Sequence, residues 1–216
     1  MKKTRKLKTT LNNNGILLEA CLDMPDAPGG PCPGVVLCHP DPRYGGDMTN
    51  NIIMAVSWAL TEKGIAGMRY NSRGVGRSRG FFGGGVPEQD DARAALSFLV
   101  QQKEIDSGRI GIMGYSFGGR IALPVGGGCN EIKAIAGVSP VVPPDVLIDC
   151  AKPKLIVCGS EDDVVSTSLV LQEAAKMSEP KTVEVIPNVD HFWWGYEEKV
   201  AELVAEFFVN ALGRSG

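Results

Sequence analysis

Residues 109–123 read Arg109-Ile-Gly-Ile-Met-Gly-Tyr-Ser-Phe-Gly-Gly-Arg-Ile-Ala-Leu123. An apolar, strand-like run leads into the G-x-S-x-G pentapeptide at 114–118, and a plausible helix start follows it. This context predicts a sharp strand-to-helix turn that lifts the Ser116 hydroxyl above the end of a sheet. Glycine is needed two positions before and after the serine, because side chains there would collide across the turn. Ser116 is therefore the candidate nucleophile, and the alternative is a glycine-rich turn that only packs a helix against a strand.

On both sides of this turn, short apolar, β-branched runs alternate with longer segments of helical periodicity. Strands are predicted at residues 15–24, 34–39, 65–71, 109–115, 132–138, 154–158 and 182–186, and helices at 50–63, 88–103, 117–123, 166–177 and 196–212. This alternation predicts a three-layer α/β/α sandwich around a mostly parallel, doubly wound sheet. Ligands of such sheets bind beyond the carboxyl ends of the strands, so the residues at those ends are the functional candidates.

The composition is that of an ordinary soluble globular protein, with 44% hydrophobic residues, 22% charged residues and a net charge of −3. A length of 216 residues predicts a single domain over 1–216. The basic start at residues 1–8 is followed by polar residues instead of a signal-peptide core, and is interpreted as a solvated or frayed edge strand. No apolar run is long enough for a membrane span. We expect a cytoplasmic monomer or homodimer without nucleic-acid or membrane partners.

Cysteine and histidine usage bears on redox state and metal binding. The six cysteines, at positions 21, 32, 38, 129, 150 and 158, form no CxxC pair and are interpreted as reduced thiols of a cytosolic protein. A zinc site would need clustered Cys and His ligands, but the two histidines lie far apart and outside any such cluster. No metal and no cofactor are expected.

A second G-x-S-x-G match, at residues 76–80, places Ser78 in the same pattern. Residues 71–75 before it and 81–85 after it both have the composition of loops. The strand-to-helix turn of a nucleophilic serine requires a strand before the serine and a helix after it. The sequence context therefore favours Ser116 over Ser78.

A serine hydroxyl needs an adjacent base at neutral pH, and histidine suits that task because its unperturbed pKa is about 6.5. His39 ends the second apolar strand, whereas His191 lies in a loop between the last strand and the last helix. Asp190 adjoins His191 and is interpreted as a turn residue, since sequence neighbours rarely direct their side chains at each other.

The acid that orients the base is expected in a loop after an intervening strand. Glu161, Asp162 and Asp163 compete for this role in the loop after residues 154–158. Asp162 is preferred and Asp163 is the second choice. Carboxylates in such a loop are more often solvated or cap the next helix.

Four segments together resemble the α/β-hydrolase superfamily, in particular its small, lid-less, dienelactone-hydrolase-like branch of serine esterases. They are residues 38–48, 69–78, 114–119 and 190–192, and the resemblance extends from about residue 34 to the C-terminus. The resemblance implies the chain order nucleophile, acid, histidine. His191 satisfies this order and His39 does not, so the implied triad is Ser116, Asp162 and His191.

The same resemblance implies two backbone donors for the oxyanion. One is the N–H of Phe117, and the other comes from the loop after His39. Pro40 and Pro42 have no N–H, so Asp41 is the expected donor and Tyr44 the reserve. Relatives often carry histidine where this chain has Asp41, and a carboxylate there would oppose the oxyanion unless it points away.

Two further features concern the substrate. Tyr44 and Trp193 are expected to contact it, with Trp194 as another possible pocket wall, although aromatic residues at 193 and 194 are about as often core. Only a short loop separates the strand ending near Pro140 from the next strand at Lys154, where many relatives insert a helical lid. The resemblance therefore implies an open site for small, soluble esters.

The function expected from the sequence is that of a carboxylesterase. The alternatives that share its triad are a peptidase, a thioesterase and a lactone hydrolase, which the motifs do not distinguish. A non-catalytic binding protein that has kept the fold is the alternative of a different class. The complete set of Ser, Asp and His argues against it.

Overall fold

The computed structural model of the protein describes residues 4–26 and 29–213. Within these ranges all seven strands and all five helices predicted from the sequence are present. An eighth strand, from Arg5 to Asn13, includes part of the basic start interpreted as an edge strand, of which residues 1–3 lie outside the described ranges. The elements are β1 (Arg5–Asn13), β2 (Ile16–Met24), β3 (Cys32–Cys38), α1 (Asn51–Glu62), β4 (Ala66–Tyr70), α2 (Val86–Val100), β5 (Ile105–Tyr115), α3 (Phe117–Gly128), β6 (Ile132–Val138), β7 (Lys154–Gly159), α4 (Thr167–Lys176), β8 (Lys181–Ile186) and α5 (Glu197–Leu212).

The described strands form one sheet in the order β1-β2-β4-β3-β5-β6-β7-β8. β3 to β8 pair in parallel, and β2 pairs antiparallel with both β1 and β4. Along the chain, β3 is followed by β4 on one side and then by β5 on the other. A crevice forms beyond the carboxyl ends of the strands at such a reversal. The sheet order therefore places a site beyond β3 and β5.

The helices cover both faces of the sheet. Buried residues of α1 and α5 pack on one face, and those of α2, α3 and α4 pack on the other. α5 shows the reason most clearly, because Val200, Val204, Phe208 and Leu212 recur every four residues along one stripe and are all buried. The result is the predicted three-layer α/β/α sandwich with a mostly parallel sheet.

The helix after the nucleophile is longer than expected. The sequence predicted an end near Leu123, since Pro124 and a glycine run follow, but α3 continues to Gly128 with Pro124 inside it. Proline in a helix interior removes one backbone hydrogen bond and costs about 3 kcal/mol. Ile121, Leu123 and Val125 are buried, and their packing offsets this cost.

The connection between β6 and β7 bears on access to the site. Residues 139–153 consist of turns and irregular backbone, without a helix. This agrees with the short loop expected from the sequence. Separately, none of the helices in the described ranges is both long and apolar enough to span a membrane.

Candidate active site

Ser116 lies on a strained turn between β5 and α3. Its φ and ψ are 55° and −122°, which few non-glycine residues adopt. A Cβ at Gly114 would lie 2.1 Å from the Gly118 carbonyl oxygen, and one at Gly118 would lie 2.1 Å from the Cys38 carbonyl oxygen. Both positions therefore require glycine, as the G-x-S-x-G pattern predicts. The turn directs the Ser116 hydroxyl into a cleft beyond the sheet.

The structure brings the three predicted triad residues together. His191 Nε2 lies 3.0 Å from Ser116 Oγ, and His191 Nδ1 lies 2.8 Å from Asp162 Oδ2. An ionised carboxylate only accepts hydrogen bonds, so Nδ1 carries the proton and Nε2 accepts from the serine hydroxyl. All three side chains are buried. This geometry allows His191 to take the proton of Ser116.

The Asp162 carboxylate is held as an anion. Its Oδ1 accepts the N–H groups of Val164 and Val165 at 3.1 and 2.8 Å. Burial raises the pKa of Asp162, but hydrogen bonds from His191, the Val165 amide and Ser139 outweigh burial and lower the pKa below its usual value. A carboxylate in this state fixes the tautomer of His191 and stabilises its protonated form.

The loop that carries His191 is fixed from two sides. The Tyr115 hydroxyl donates to the His191 carbonyl at 2.8 Å, and the two rings stack at 5.7 Å. The Asp190 carboxylate accepts the amide N–H groups of Phe192 and Trp193 at 2.9 and 3.0 Å. Asp190 is therefore a turn residue, as its position beside the histidine suggested.

The competing acids of the loop after β7 do not reach the histidine. Glu161 and Asp163 are exposed, and the Glu161 carboxylate accepts the hydroxyl of Ser160 at 3.0 Å. Asp162 alone among these three contacts His191. The preference for Asp162 over Asp163 agrees with the geometry.

Ser78, the serine of the second G-x-S-x-G match, has a structural role. Its hydroxyl donates to the Asn71 carbonyl at 2.7 Å and accepts the Glu19 N–H at 2.9 Å. The bond from Glu19 joins the segment after β4 to β2, and the bond to Asn71 lies within that segment. Ser78 contacts no histidine within the described ranges.

His39 is also structural. It is buried, its Nδ1 donates to the Pro40 carbonyl at 2.7 Å, and its Nε2 accepts the Ser72 N–H at 3.1 Å. Burial lowers the pKa of His39, and this favours the neutral ring. With both ring nitrogens occupied, His39 has no free position for a substrate.

The two expected oxyanion donors border the cleft. Phe117 is the first residue of α3, so its N–H has no partner within the helix. Asp41 also lines the cleft, and no described backbone carbonyl accepts its N–H. The Asp41 carboxylate binds the Arg43 guanidinium at 2.6 Å. The pair of donors stays a prediction that this arrangement permits.

The cleft has a volume of about 1020 Å³ and a mostly apolar lining. Tyr44 lies at its rim with 87% of its surface exposed, as its expected role requires. The expectation for Trp193 is wrong. Its side chain is fully buried in the core beneath the cleft, and its Nε1–H donates to Ser139 at 3.1 Å. The neighbouring Trp194 lines the cleft instead.

Several cleft residues were missed from the sequence. Arg120 follows Ser116 by four residues, and Phe192 directly follows His191. Their spacing from the predicted triad was the available signal for both. Phe82 and Val164 also line the cleft, but neither lies in a pattern that predicts this.

Comparison with protein families identifies a match over most of the chain. The sequence model described as X-Pro dipeptidyl-peptidase (S15 family) matches residues 14–207. Among curated proteins, an uncharacterized protein of Rickettsia prowazekii is 30% identical over 189 residues, which are 82% of this chain and 79% of that protein.

Two solved structures are similar over nearly the whole chain. An alpha-beta serine hydrolase homologue from Coxiella burnetii is 27% identical with a TM-score of 0.81, covering 93% of this chain and 96% of that one. A lid-less serine hydrolase from Xanthomonas campestris is 25% identical with a TM-score of 0.83, covering 99% and 98%. These similarities confirm the lid-less α/β-hydrolase fold expected from the sequence.

Proposed function

The chain belongs to the X-Pro dipeptidyl-peptidase (S15) family of α/β hydrolases, and from this premise we propose that it is a serine carboxylesterase acting on small, soluble esters. The observation that carries the proposal is the hydrogen-bonded series from Ser116 through His191 to Asp162. Ser116 and His191 line a cleft that is large enough for a small organic ester.

In the proposed reaction, Ser116 Oγ attacks the ester carbonyl carbon while His191 Nε2 takes the hydroxyl proton. The tetrahedral oxyanion accepts hydrogen bonds from the amides of Phe117 and Asp41. The carbon–oxygen bond to the alcohol then breaks, and His191 returns the proton to the leaving alkoxide. Water repeats the sequence on the acyl-enzyme, which releases the acid and restores the serine.

The charges of the cleft favour an ester over a peptide substrate. An enzyme that removes a dipeptide from a free N-terminus must bind the substrate's ammonium group, which calls for an available carboxylate. Among the described residues that line the cleft, Asp41 is the acidic one, and Arg43 occupies its carboxylate. The family relationship nevertheless makes a peptidase the second candidate.

Replacing Ser116 with alanine tests the assignment. We expect kcat for p-nitrophenyl esters to fall by about 10⁴-fold or more, because the nucleophile is lost while the oxyanion donors remain. The measurement is the rate on p-nitrophenyl acetate, butyrate and octanoate for both proteins, with circular dichroism spectra to verify folding.

Two matched comparisons separate the alternatives. The Ser78→Ala protein loses the other G-x-S-x-G serine and should retain ester turnover, and alanyl-proline p-nitroanilide tests for dipeptidyl-peptidase activity. Ester hydrolysis that survives in Ser116→Ala contradicts the mechanism. If the anilide is hydrolysed and none of the esters is, the proposed function changes from esterase to dipeptidyl-peptidase. Thioester and lactone substrates test the remaining alternatives.

The cytoplasmic location and the monomeric or dimeric state expected from the sequence stay predictions.

A further inference from the structure

Arg120 is a cation without a partner in the wall of the cleft. It is exposed and lines the same space as Ser116 and His191. Within the part of the chain that the structure describes, no carboxylate forms an ion pair with Arg120. A guanidinium in this state has all its donors available for a ligand.

The charge balance of the cleft differs from that of the whole protein. The chain has a net charge of −3. Among the described lining residues the ionised side chains are Asp41, Arg43 and Arg120. Asp41 and Arg43 neutralise each other at 2.6 Å, so Arg120 is the unpaired charge among the described residues that line the cleft.

The stem of Arg120 is held in place by the loop before α2. A Cβ at Gly85 would lie 2.9 Å from Arg120 Cδ, so the loop backbone packs directly against the arginine. The buried carboxylate of Glu88 fixes this loop by accepting the N–H groups of Gly83 and Gly85 at 2.5 and 2.6 Å. Arg120 is thereby supported at the cleft although its charged end is exposed.

The distance from the nucleophile is short. Ser116 immediately precedes α3, and Arg120 is the fourth residue of that helix, so about 6 Å of axial rise separates them. An anion bound by Arg120 would therefore share the cleft with an ester carbonyl held at Ser116. Elsewhere the cleft presents Phe82, Val164 and Trp194, which suit an apolar body.

We propose that Arg120 binds a carboxylate of the substrate, so that the cleft selects esters that join an apolar body to a carboxylate near the reacting carbonyl. The substrate class deepens, and therefore rests on, the proposed esterase function. A planar guanidinium can bind a carboxylate through two parallel hydrogen bonds. A merely solvated Arg120 would give no such selection.

The test compares esters that differ only in charge. One pair, 4-acetoxybenzoate and 4-acetoxybenzamide, places the anion on the alcohol side. The other, mono-p-nitrophenyl glutarate and p-nitrophenyl pentanoate, places it on the acyl side. In the wild-type protein kcat/KM should favour the anionic member of at least one pair. In Arg120→Gln this ratio should fall by about 10- to 100-fold, the range of a charge-assisted hydrogen bond.

Two variants serve as controls. Arg93→Gln removes the same charge from an exposed residue outside the cleft lining, and should keep the wild-type ratio. Arg120→Lys keeps the charge without the forked geometry, and should retain only part of the preference. A ratio that is equal in the wild type and in Arg120→Gln overturns the proposal, even when the neutral esters are hydrolysed in a Ser116-dependent way.

Failure of the esterase proposal gives a separate result. If no ester of either pair is hydrolysed, calorimetric titration with benzoate still tests the carboxylate site. Binding that weakens at least tenfold in Arg120→Gln but not in Arg93→Gln supports the site without the esterase. Equal affinities in all three proteins, or no binding, overturn it.

Discussion

The Asp41 carboxylate belongs to the loop that we propose supplies an oxyanion donor, where a negative charge is unfavourable. Arg43 binds it through its backbone N–H at 2.9 Å, its Nε at 3.1 Å and a terminal nitrogen at 2.6 Å. The hydrogen bond from the Arg43 side chain is the main reason that the pKa of Asp41 lies below its usual value. The guanidinium also lies 5.0 Å from the Phe82 ring. Arg43 therefore neutralises the charge of Asp41 at the cleft.

Removing the Arg43 charge should allow the Asp41 carboxylate to repel the oxyanion of the proposed reaction. We expect kcat for a neutral ester to fall by about 10- to 100-fold in Arg43→Gln, because like charges about 6 to 12 Å apart near a protein surface repel by about 1.4 to 2.8 kcal/mol. Adding Asp41→Asn to that variant should restore most of the rate, because the carboxylate is gone and the amide N–H of residue 41 remains. A double variant as slow as Arg43→Gln would refute the explanation.

Individual residues of the site differ in how far the sequence predicts them. Ser116, Asp162 and His191 occupy loops after recognisable strands, and they come together as expected. Trp193 and Trp194 are adjacent and chemically identical, so no pattern shows which one is buried. The backbone turn at residues 190–193 determines which tryptophan is buried. The Asp190 carboxylate accepts the N–H of Trp193, and Trp193 adopts a φ of 60°. Such a backbone conformation is not apparent from composition.

At the level of elements, α2 anchors the loop that follows β4. The buried Asp91 carboxylate of α2 accepts hydrogen bonds from the Arg73 backbone and side chain at 2.8 to 3.0 Å. It also accepts the Asn13 side-chain amide at 2.7 Å. One carboxylate thus joins α2, the end of β1 and the loop after β4.

Replacing Asp91 with alanine should destabilise the protein by about 3–5 kcal/mol, because it leaves the largely buried Arg73 guanidinium unpaired. Urea unfolding followed by circular dichroism measures the change. As a matched control, Asp90→Ala removes an exposed partner of Arg93 on the same helix, and should cost less than about 1 kcal/mol. Equal losses in the two variants would contradict the role of Asp91.

The elements themselves were largely predictable because most strands are covered by helices on both faces. Such strands are largely apolar, and β6 and β7 are examples, in which Lys133 and Lys154 are the charged exceptions. The basic start was interpreted as a frayed edge strand, and β1 continues beyond it to Asn13, where Leu11 and Asn13 are buried. It is an edge strand that pairs with β2 alone, and basic residues are common on such edges.

For the molecule as a whole, His39 links folding to pH. Burial lowers its pKa in the folded state, while the unfolded chain has the ordinary value of about 6.5. The unfolded state therefore binds the proton more readily below about pH 6.5. The contribution of neutral His39 to the free energy of unfolding is complete above that pH. This contribution is lost as the pH falls toward the pKa of His39 in the folded state.

We expect the free energy of unfolding to drop by about 1–2 kcal/mol more in the wild type than in His39→Gln between pH 7.5 and 5. Urea titrations at both pH values measure this difference. All other titrating groups are common to the two proteins, so their contributions cancel. Parallel pH dependences would mean that His39 is not held neutral in the folded state.

The convergence of the site follows from the order of the strands. Ser116, Asp162 and His191 follow β5, β7 and β8, whose carboxyl ends lie at one edge of the parallel sheet. The sequence predicts such an edge, and with it the approximate meeting of the three residues. The charge state of the cleft was not predictable, since Arg43 and Arg120 differ only in whether a carboxylate contacts them.

The neighbouring indoles of Trp193 and Trp194 have opposite surroundings, one inside the core and the other 68% exposed at the cleft. Their light emission therefore differs in its access to water and to dissolved quenchers. A molecule that enters the cleft covers Trp194 and leaves Trp193 unchanged. The emission of Trp194 thus reports on occupancy of the cleft without a label or turnover, above the emission of Trp58, which is exposed but does not line the cleft.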